Sequence, residues 1–422
     1  MFAMAGAVLG SVGVDAAVGG RAVVMAGSAP VIPSEPARAS VALELTPVAA
    51  LETSDESFRL VVKYAPRIFY RQPNALGLDR PLFLHRLRLD HLAFANETTT
   101  IRSNVEASMG EVDYVGYLNQ FAPTPGSPPP NTPPPAPGNT QTLTTVNQSI
   151  ISYYDVQGTA DIEERFDKRS ALAVDALLGM SNALDTNNAF FPAHARAGLT
   201  PTYRYRLTRT DQLVVPSSLE YHVVKQFELA PQGSTSKNVS IFVWTAEAEW
   251  DHRASRYTTY SASGGFMYAA QTNPPDGSSF FPIVTAGVTH LFYDARDLRV
   301  RARLEPSLRG TLNLLHAEYR TTLAVQGSVE VLLPHFTAAL RGTFYTSTMS
   351  PLPTGEPETF FGAEAPFIYS PDPNLALEVG ARTFFLAPHL EHTFEVMQLQ
   401  VWGYGAVTVL FGTRADPRES VE

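Results

Sequence analysis

The sequence contains no cysteine. Disulfide staples, thiolate metal sites and cysteine nucleophiles are therefore excluded, and the chain suits an oxidising compartment. No uninterrupted apolar run approaches the ~18 residues of a membrane helix, which argues against a helical membrane protein. Positive charge is in deficit. Lys and Arg number 31 against 41 Asp and Glu, a net charge of −10, so a nucleic-acid partner is not expected. No nucleophile elbow, phosphate loop or zinc-protease helix occurs. The reading is of a non-enzyme with no cofactor and no metal.

The 422 residues open with a segment of small apolar character, Met1 to Pro30, in which Arg21 is the only base and Asp15 the only acid. With Gly27-Ser28-Ala29 as a cleavage end, residues 1–30 read as an export leader, although the basic n-region is missing. The plainer alternative is a disordered Ala/Gly-rich leader. Residues 31–56 read as a periplasmic linker.

From residue 57 onward apolar and polar residues alternate at period two, the signal of a strand with two different faces. In 145–166, Val146, Ile150, Tyr154, Val156, Ala160, Ile162 and Phe166 oppose Asn147, Ser149, Asp155, Gln157, Thr159, Asp161, Glu163 and Arg165. That run far exceeds the ~5–6 residues of a globular strand and suits the ~9–11 needed to cross hydrocarbon. The same pattern sets Val62, Tyr64, Ile68 and Tyr70 against Arg59, Lys63 and Arg67. It sets Tyr203, Tyr205 and Leu207 against Arg204 and Arg206. Phe242, Trp244, Ala246, Ala248 and Trp250 oppose Glu247 and Glu249. Leu298, Val300, Ala302 and Leu304 oppose Arg299, Arg301, Arg303 and Glu305. Ala317, Tyr319, Leu323 and Val325 oppose Glu318 and Arg320. Around Leu84–Phe94 the apolar positions slip phase, as a bulge, or the lack of a strand, would cause.

Connections alternate in length. Short polar turns are expected at 167–169, 209–211, 251–255, 294–296 and 371–374, and longer loops at 111–144, 183–197, 226–237, 270–281 and 347–360. This is the rhythm of an up-and-down barrel, with about 16 strands. Pro123–Pro137, within the longest loop, cannot enter a sheet and favours extended polyproline II.

An antiparallel sheet hides its apolar face against another sheet or against lipid. Aromatic rings near strand ends (Tyr64, Tyr70, Tyr154, Phe166, Trp244, Trp250, Tyr260, Tyr268, Phe292, Tyr369) suit membrane interfaces, and mid-strand charges on the opposite face suit a wet lumen. The competing fold is a secreted β-sandwich or solenoid. On these grounds residues 57–411 resemble a Gram-negative outer-membrane β-barrel of the porin-like kind. The strongest piece is Val401-Trp402-Gly403-Tyr404-Gly405-Ala406-Val407-Thr408-Val409-Leu410-Phe411, similar to the closing strand of such proteins. The resemblance implies a closed all-β antiparallel transmembrane barrel in the bacterial outer membrane, with its lipid and the barrel-insertion machinery as partners. The tail 412–422, expected in the periplasm, departs from the family habit of ending on the aromatic residue.

The candidate functional residues are the polar faces themselves. Arg59, Lys63, Arg67, Arg204, Arg206, Arg299, Arg301, Arg303 and Arg320, with Glu247, Glu249 and Glu318, are expected to line the lumen. Rows of opposed charge bias which solutes pass. The expected function is a channel for polar solutes or for a polymer such as polysaccharide. The alternative is a structural or adhesive barrel, filled inside and acting through its extracellular loops. His222 beside Glu220, His316 beside Glu318, and His389 with Glu391 and His392 are candidates for metal or general-base chemistry. The ordinary reading is that lumen and loop positions hold polar residues by default.

Overall fold

The computed structural model describes residues 13–29, 38–55, 57–73, 80–113, 150–184, 193–230, 233–273, 275–295, 297–313, 318–348, 358–388 and 398–412. Among them there is no helix. The chain forms strands β1 (Gly13–Ala29), β2 (Arg38–Ser54), β3 (Phe58–Tyr64), β4 (Arg67–Gln72), β5 (Leu82–Phe94), β6 (Thr99–Asp113), β7 (Ile150–Arg165), β8 (Ser170–Ala183) and β9 (His194–Arg206). It continues with β10 (Asp211–Ala230), β11 (Gly233–Arg253), β12 (Thr258–Asn273), β13 (Pro275–Ala295) and β14 (Leu298–Asn313). The last are β15 (Glu318–Leu332), β16 (Phe336–Thr348), β17 (Glu358–Asp372), β18 (Leu375–Pro388) and β19 (Gln398–Gly412).

β3 and β4 are two halves of one strand. Tyr64 pairs with Ala49 and Ile68 with Leu45, one unbroken register against β2. Pro66 merely removes one ladder donor between them. Every sequential pair is antiparallel, and β1 pairs with both β2 and β19, which closes the sheet into an 18-strand ring. Closure leaves no sheet edge, as hydrocarbon requires.

The expectation of about 16 strands is corrected to 18. Sixteen do lie beyond residue 57, but residues 13–29 and 38–54, read as leader and linker, form β1 and β2. Composition misled there for a structural reason. Gly19 and Gly27 sit on the closing seam, where an added Cβ would run into the carbonyl oxygens of Val409 and Val401. Those two positions need glycine, and glycines among small apolar residues look like a leader.

The phase slip in β5 is not a bulge. β5 keeps a continuous register with β3, β4 and β6. Leu84 is fully buried on the inner face while Leu87 points outward, so apolar residues simply occupy both faces. The short turns fall at one end of the barrel, close to their expected places. At the other end two expected loops are strand instead. Residues 226–230 and 233–237 belong to the β10–β11 hairpin, and most of 270–281 to β12 and β13. The loop 114–149 with its Pro-rich run, and the tail beyond 412, lie outside the described residues.

Candidate functional site: the inner wall

Direct cross-strand partners share a face, so the registers carry one face around the whole ring. On the outer face stand Val18, Leu43, Val105, Leu178, Leu199, Trp244, Leu304 and Val407, large apolar side chains left exposed by the chain's own fold. Aromatic rings gather toward both ends. Tyr154 and Phe166 on the β7 line are separated by roughly 30 Å, taking ~3.3 Å of rise per residue and a tilt of ~40°. Near the loop end Trp244 meets Phe266 edge-on with centroids 5.0 Å apart, and Phe280 lies 4.9 Å from Tyr268. This is an apolar band with girdles, the dress of a lipid-facing wall.

The inner face carries nearly all the strand charge. Arg59, Lys63, Arg67, Arg204, Arg206, Glu247, Glu249, Arg299, Arg301, Arg303 and Arg320 all fall on it. Glu318 is in register with Asn313 near the top of the β14–β15 hairpin.

Their partners are mostly neighbours along the wall. Arg59 bonds Glu52 (2.9 Å), Arg67 bonds Glu44 (2.7 Å), Arg204 bonds Glu163 (2.6 Å) and Arg299 lies 3.3 Å from Asp294. Arg303 pairs with Glu305, and Arg301 with Glu330, which Arg341 also reaches at 3.2 Å. Arg341 is in register with Glu364, and Glu364 with Arg382. Tyr404 Oη lies within hydrogen-bond distance of both Glu364 (3.2 Å) and Glu378 (2.8 Å), and Glu378 holds Arg21 at 2.7 Å. A belt of alternating sign thus runs from β14 through β19 to β1. Sequence reasoning missed Arg21, Glu44, Glu330, Arg341, Glu364, Glu378, Arg382 and Tyr404. Each sits in opposite phase to its strand's outward residues, and Arg21 and Glu44 were lost with the leader and linker assignment.

One sector differs. Glu247, Glu249 and Asp251 occupy successive inner positions of β11, and among the described residues none forms an ion pair. β12 faces them with Ser261, Ser263 and Gly265. Seven strands round the ring, β3 to β5 carry Arg59, Lys63, Arg67, Arg71, Arg86 and Arg88.

Two apolar clusters interrupt the polar wall. The first joins Val23, Met25, Ala42, Phe69, Leu82, Trp402, Tyr404 and Ala406 across β19, β1, β2, β4 and β5. The second joins Val224, Val239, Ile241, Val243, Ala269 and Phe281 on β10 to β13. Beside it, His222 Nε2 lies 3.3 Å from Glu220, as their spacing anticipated. No group of three or more metal-ligating residues is assembled among the described residues. His316, Glu391 and the 389–392 pair lie outside them.

No family model matches the chain, and no curated protein matches it in sequence. Solved structures do resemble it. The ferric citrate transporter FecA in its unliganded form is 10% identical with a TM-score of 0.46, over 92% of this chain and 63% of FecA, so the chain spans under two thirds of that protein. The copper transporter OprC is 11% identical with a TM-score of 0.49, over 95% of this chain and 81% of OprC. OpdL of Pseudomonas aeruginosa is 9% identical with a TM-score of 0.46, over 95% and 99% of the two chains. At such identity the likeness is one of fold. The chain is a transmembrane β-barrel. Its own geometry carries that statement: a closed ring, apolar and girdled outside, charged within.

Proposed function

We propose that the barrel is a conduit for polar solutes across the outer membrane. Its width is the observation that carries the reading. Followed once around the ring, the strand registers return to β1 displaced by about 22 positions. Eighteen strands with that stagger give a tilt of about 40° and a backbone radius of about 17 Å. Rings of 16 to 18 strands leave room for an aqueous channel. The wall-hugging ion pairs keep the charged side chains on the wall, and the acidic stretch on β11 with the basic strands β3 to β5 gives the lumen a transverse field. Solutes up to a single polysaccharide chain fit this description.

The test is single-channel recording in planar bilayers with protein shown to be folded by heat-modifiable gel migration. Ohmic steps, with polymer exclusion giving the size limit, are expected; silence at every voltage would overturn the reading. The two buried luminal clusters favour a second function, a braced and filled barrel acting through its loops. Removing residues 122–139 separates the two, since lost partner binding with no conductance in either form would support the second.

A further inference from the structure

The turn end of the barrel is not uniform in charge. Three neighbouring turns, at residues 166–169, 207–210 and 254–257, join β7 to β8, β9 to β10 and β11 to β12. They carry Lys168, Arg169, Arg209 and Arg256, and the adjoining strand ends add Arg206 and Arg253. All six are exposed, and none forms an ion pair among the described residues. Of the other five turns only 296–297 holds a Lys or Arg, and there Asp297 follows it. Turns 55–57 and 95–98 hold acids alone.

Within 163–170, 204–211 and 251–258 there are eight Lys and Arg against five Asp and Glu. Most of these acids are engaged by the fold. Asp167 accepts the backbone N–H groups of Arg169 and Ser170. Asp211 accepts from Thr208, Thr210 (2.9 Å) and Trp250 Nε1 (3.2 Å), and lies 2.8 Å from His252 Nδ1. Glu164 takes the hydroxyls of Thr98 and Thr99, and Glu163 holds Arg165 and Arg204. Asp251, the fifth, stands one inner position from Arg253.

The cations border the lipid-facing wall. Phe166, Leu207, Trp250 and Tyr260 are exposed on the outer side of the same strands. Lys168 and Arg209 follow Phe166 and Leu207 by two residues, at most about 7 Å of chain. Trp250 is fixed there by Asp211, its ring stacked on His252 with centroids 5.2 Å apart. Ring and cation thus straddle the depth at which acyl chain gives way to phosphate.

We propose that the arc of turns from β7 to β12 is a binding site for anionic phospholipid headgroups of the turn-side leaflet. The inference is independent of the conduit reading. Exposed guanidiniums and an ammonium donate to phosphate oxygens, and no protein carboxylate competes for them. A cluster of Lys and Arg at a membrane surface selects anionic lipid, each cation contributing roughly a fivefold gain in local partition. The apolar flank, which an acidic soluble partner would not need, favours lipid as the occupant.

The experiment uses the full chain and its own tryptophans. The form keeping Trp250 alone, W244F/W402F, is refolded into phosphatidylcholine vesicles doped with a small fraction of either brominated phosphatidylglycerol or brominated phosphatidylcholine. The anionic lipid should quench Trp250 at least about twofold more than the zwitterionic one. The excess should vanish in K168Q/R209Q/R256Q, and in about 1 M salt, where the screening length falls to about 3 Å. Trp244, six residues along the same strand toward the loop end, should show no excess in W250F/W402F. Equal quenching of Trp250 by the two lipids, as a surface kept for an acidic protein would give, overturns the proposal. An excess that survives the triple variant, or appears equally at Trp244, overturns it too. If the triple variant lacks the heat-modifiable folded band, the salt series on W244F/W402F decides.

Discussion

Glu330 stands between Arg301 of β14 and Arg341 of β16, and it is the only carboxylate either arginine meets within 4 Å among the described residues. Its side chain is 10% exposed. Glu330→Ala leaves two guanidiniums facing one another and should lower the unfolding free energy by about 1–3 kcal/mol, read as a shift of the urea midpoint in detergent micelles. Asp167, in the turn between β7 and β8, accepts hydrogen bonds from the backbone N–H groups of Arg169 (2.5 Å) and Ser170 (2.8 Å). These donors, the Arg169 N–H first, hold its carboxyl below the usual carboxylate range. The stabilisation is present above the ordinary aspartate pKa and disappears as the pH falls through the lowered one. The midpoint difference between the native chain and Asp167→Ala should therefore be full at neutral pH and vanish in strong acid. Both residues were within reach of sequence reasoning in different degree. Asp167 was read into a turn from its polar neighbours. The partners of Glu330 depend on registers between strands, which one sequence does not display.

At the scale of elements, alternation was readable wherever one face met lipid and the other met water. β6, β7, β9 and β11 show it cleanly. It fails where the inner face is itself dry. In β1 the inward residues include Val23 and Met25, buried in the first luminal cluster, so both faces are apolar and the period disappears. β5 fails likewise through Leu82 and Leu84. Tyr319 was expected on the lipid side, in phase with Leu323 and Val325. Instead its hydroxyl lies 3.4 Å from His222 Nε2 and its ring packs on the second luminal cluster. The strand assignment of β1 makes a direct prediction. Residues 13–29 should be present in the mature folded barrel and protected from protease, as mass spectrometry of the heat-modifiable band would read. Val23→Pro should break the ladder to both β2 and β19 and abolish that band, whereas removal of the segment as a leader would leave the folded form untouched.

For the whole molecule, the proposed conduit gives the acids of β11, which form no ion pair among the described residues, the task of setting the sign of selectivity. Replacing Glu247 and Glu249 by Gln and Asp251 by Asn removes three negative charges from one sector of the wall. The reversal potential under a salt gradient should move toward anion preference, with conductance changed far less. An unmoved reversal potential would place those side chains away from the ion path. Barrel class and the polarity of its two faces followed from period and connection length alone. The ring's size did not, because β1 is apolar on both faces, and β2, although Val41, Leu43 and Leu45 alternate with Ala42, Glu44 and Thr46, was counted with the linker.

The most direct measurement of the two-faced wall uses the three tryptophans. Trp244 and Trp250 stand on the outer face, 39% and 40% exposed, and Trp402, 2% exposed, stands on the inner one. Single-tryptophan forms, the others replaced by Phe, are refolded into vesicles of brominated lipid. Bromine should quench Trp244 and Trp250 strongly and leave Trp402 bright. Equal quenching of all three, or quenching of Trp402 alone, would contradict the fold's assignment of lipid and water.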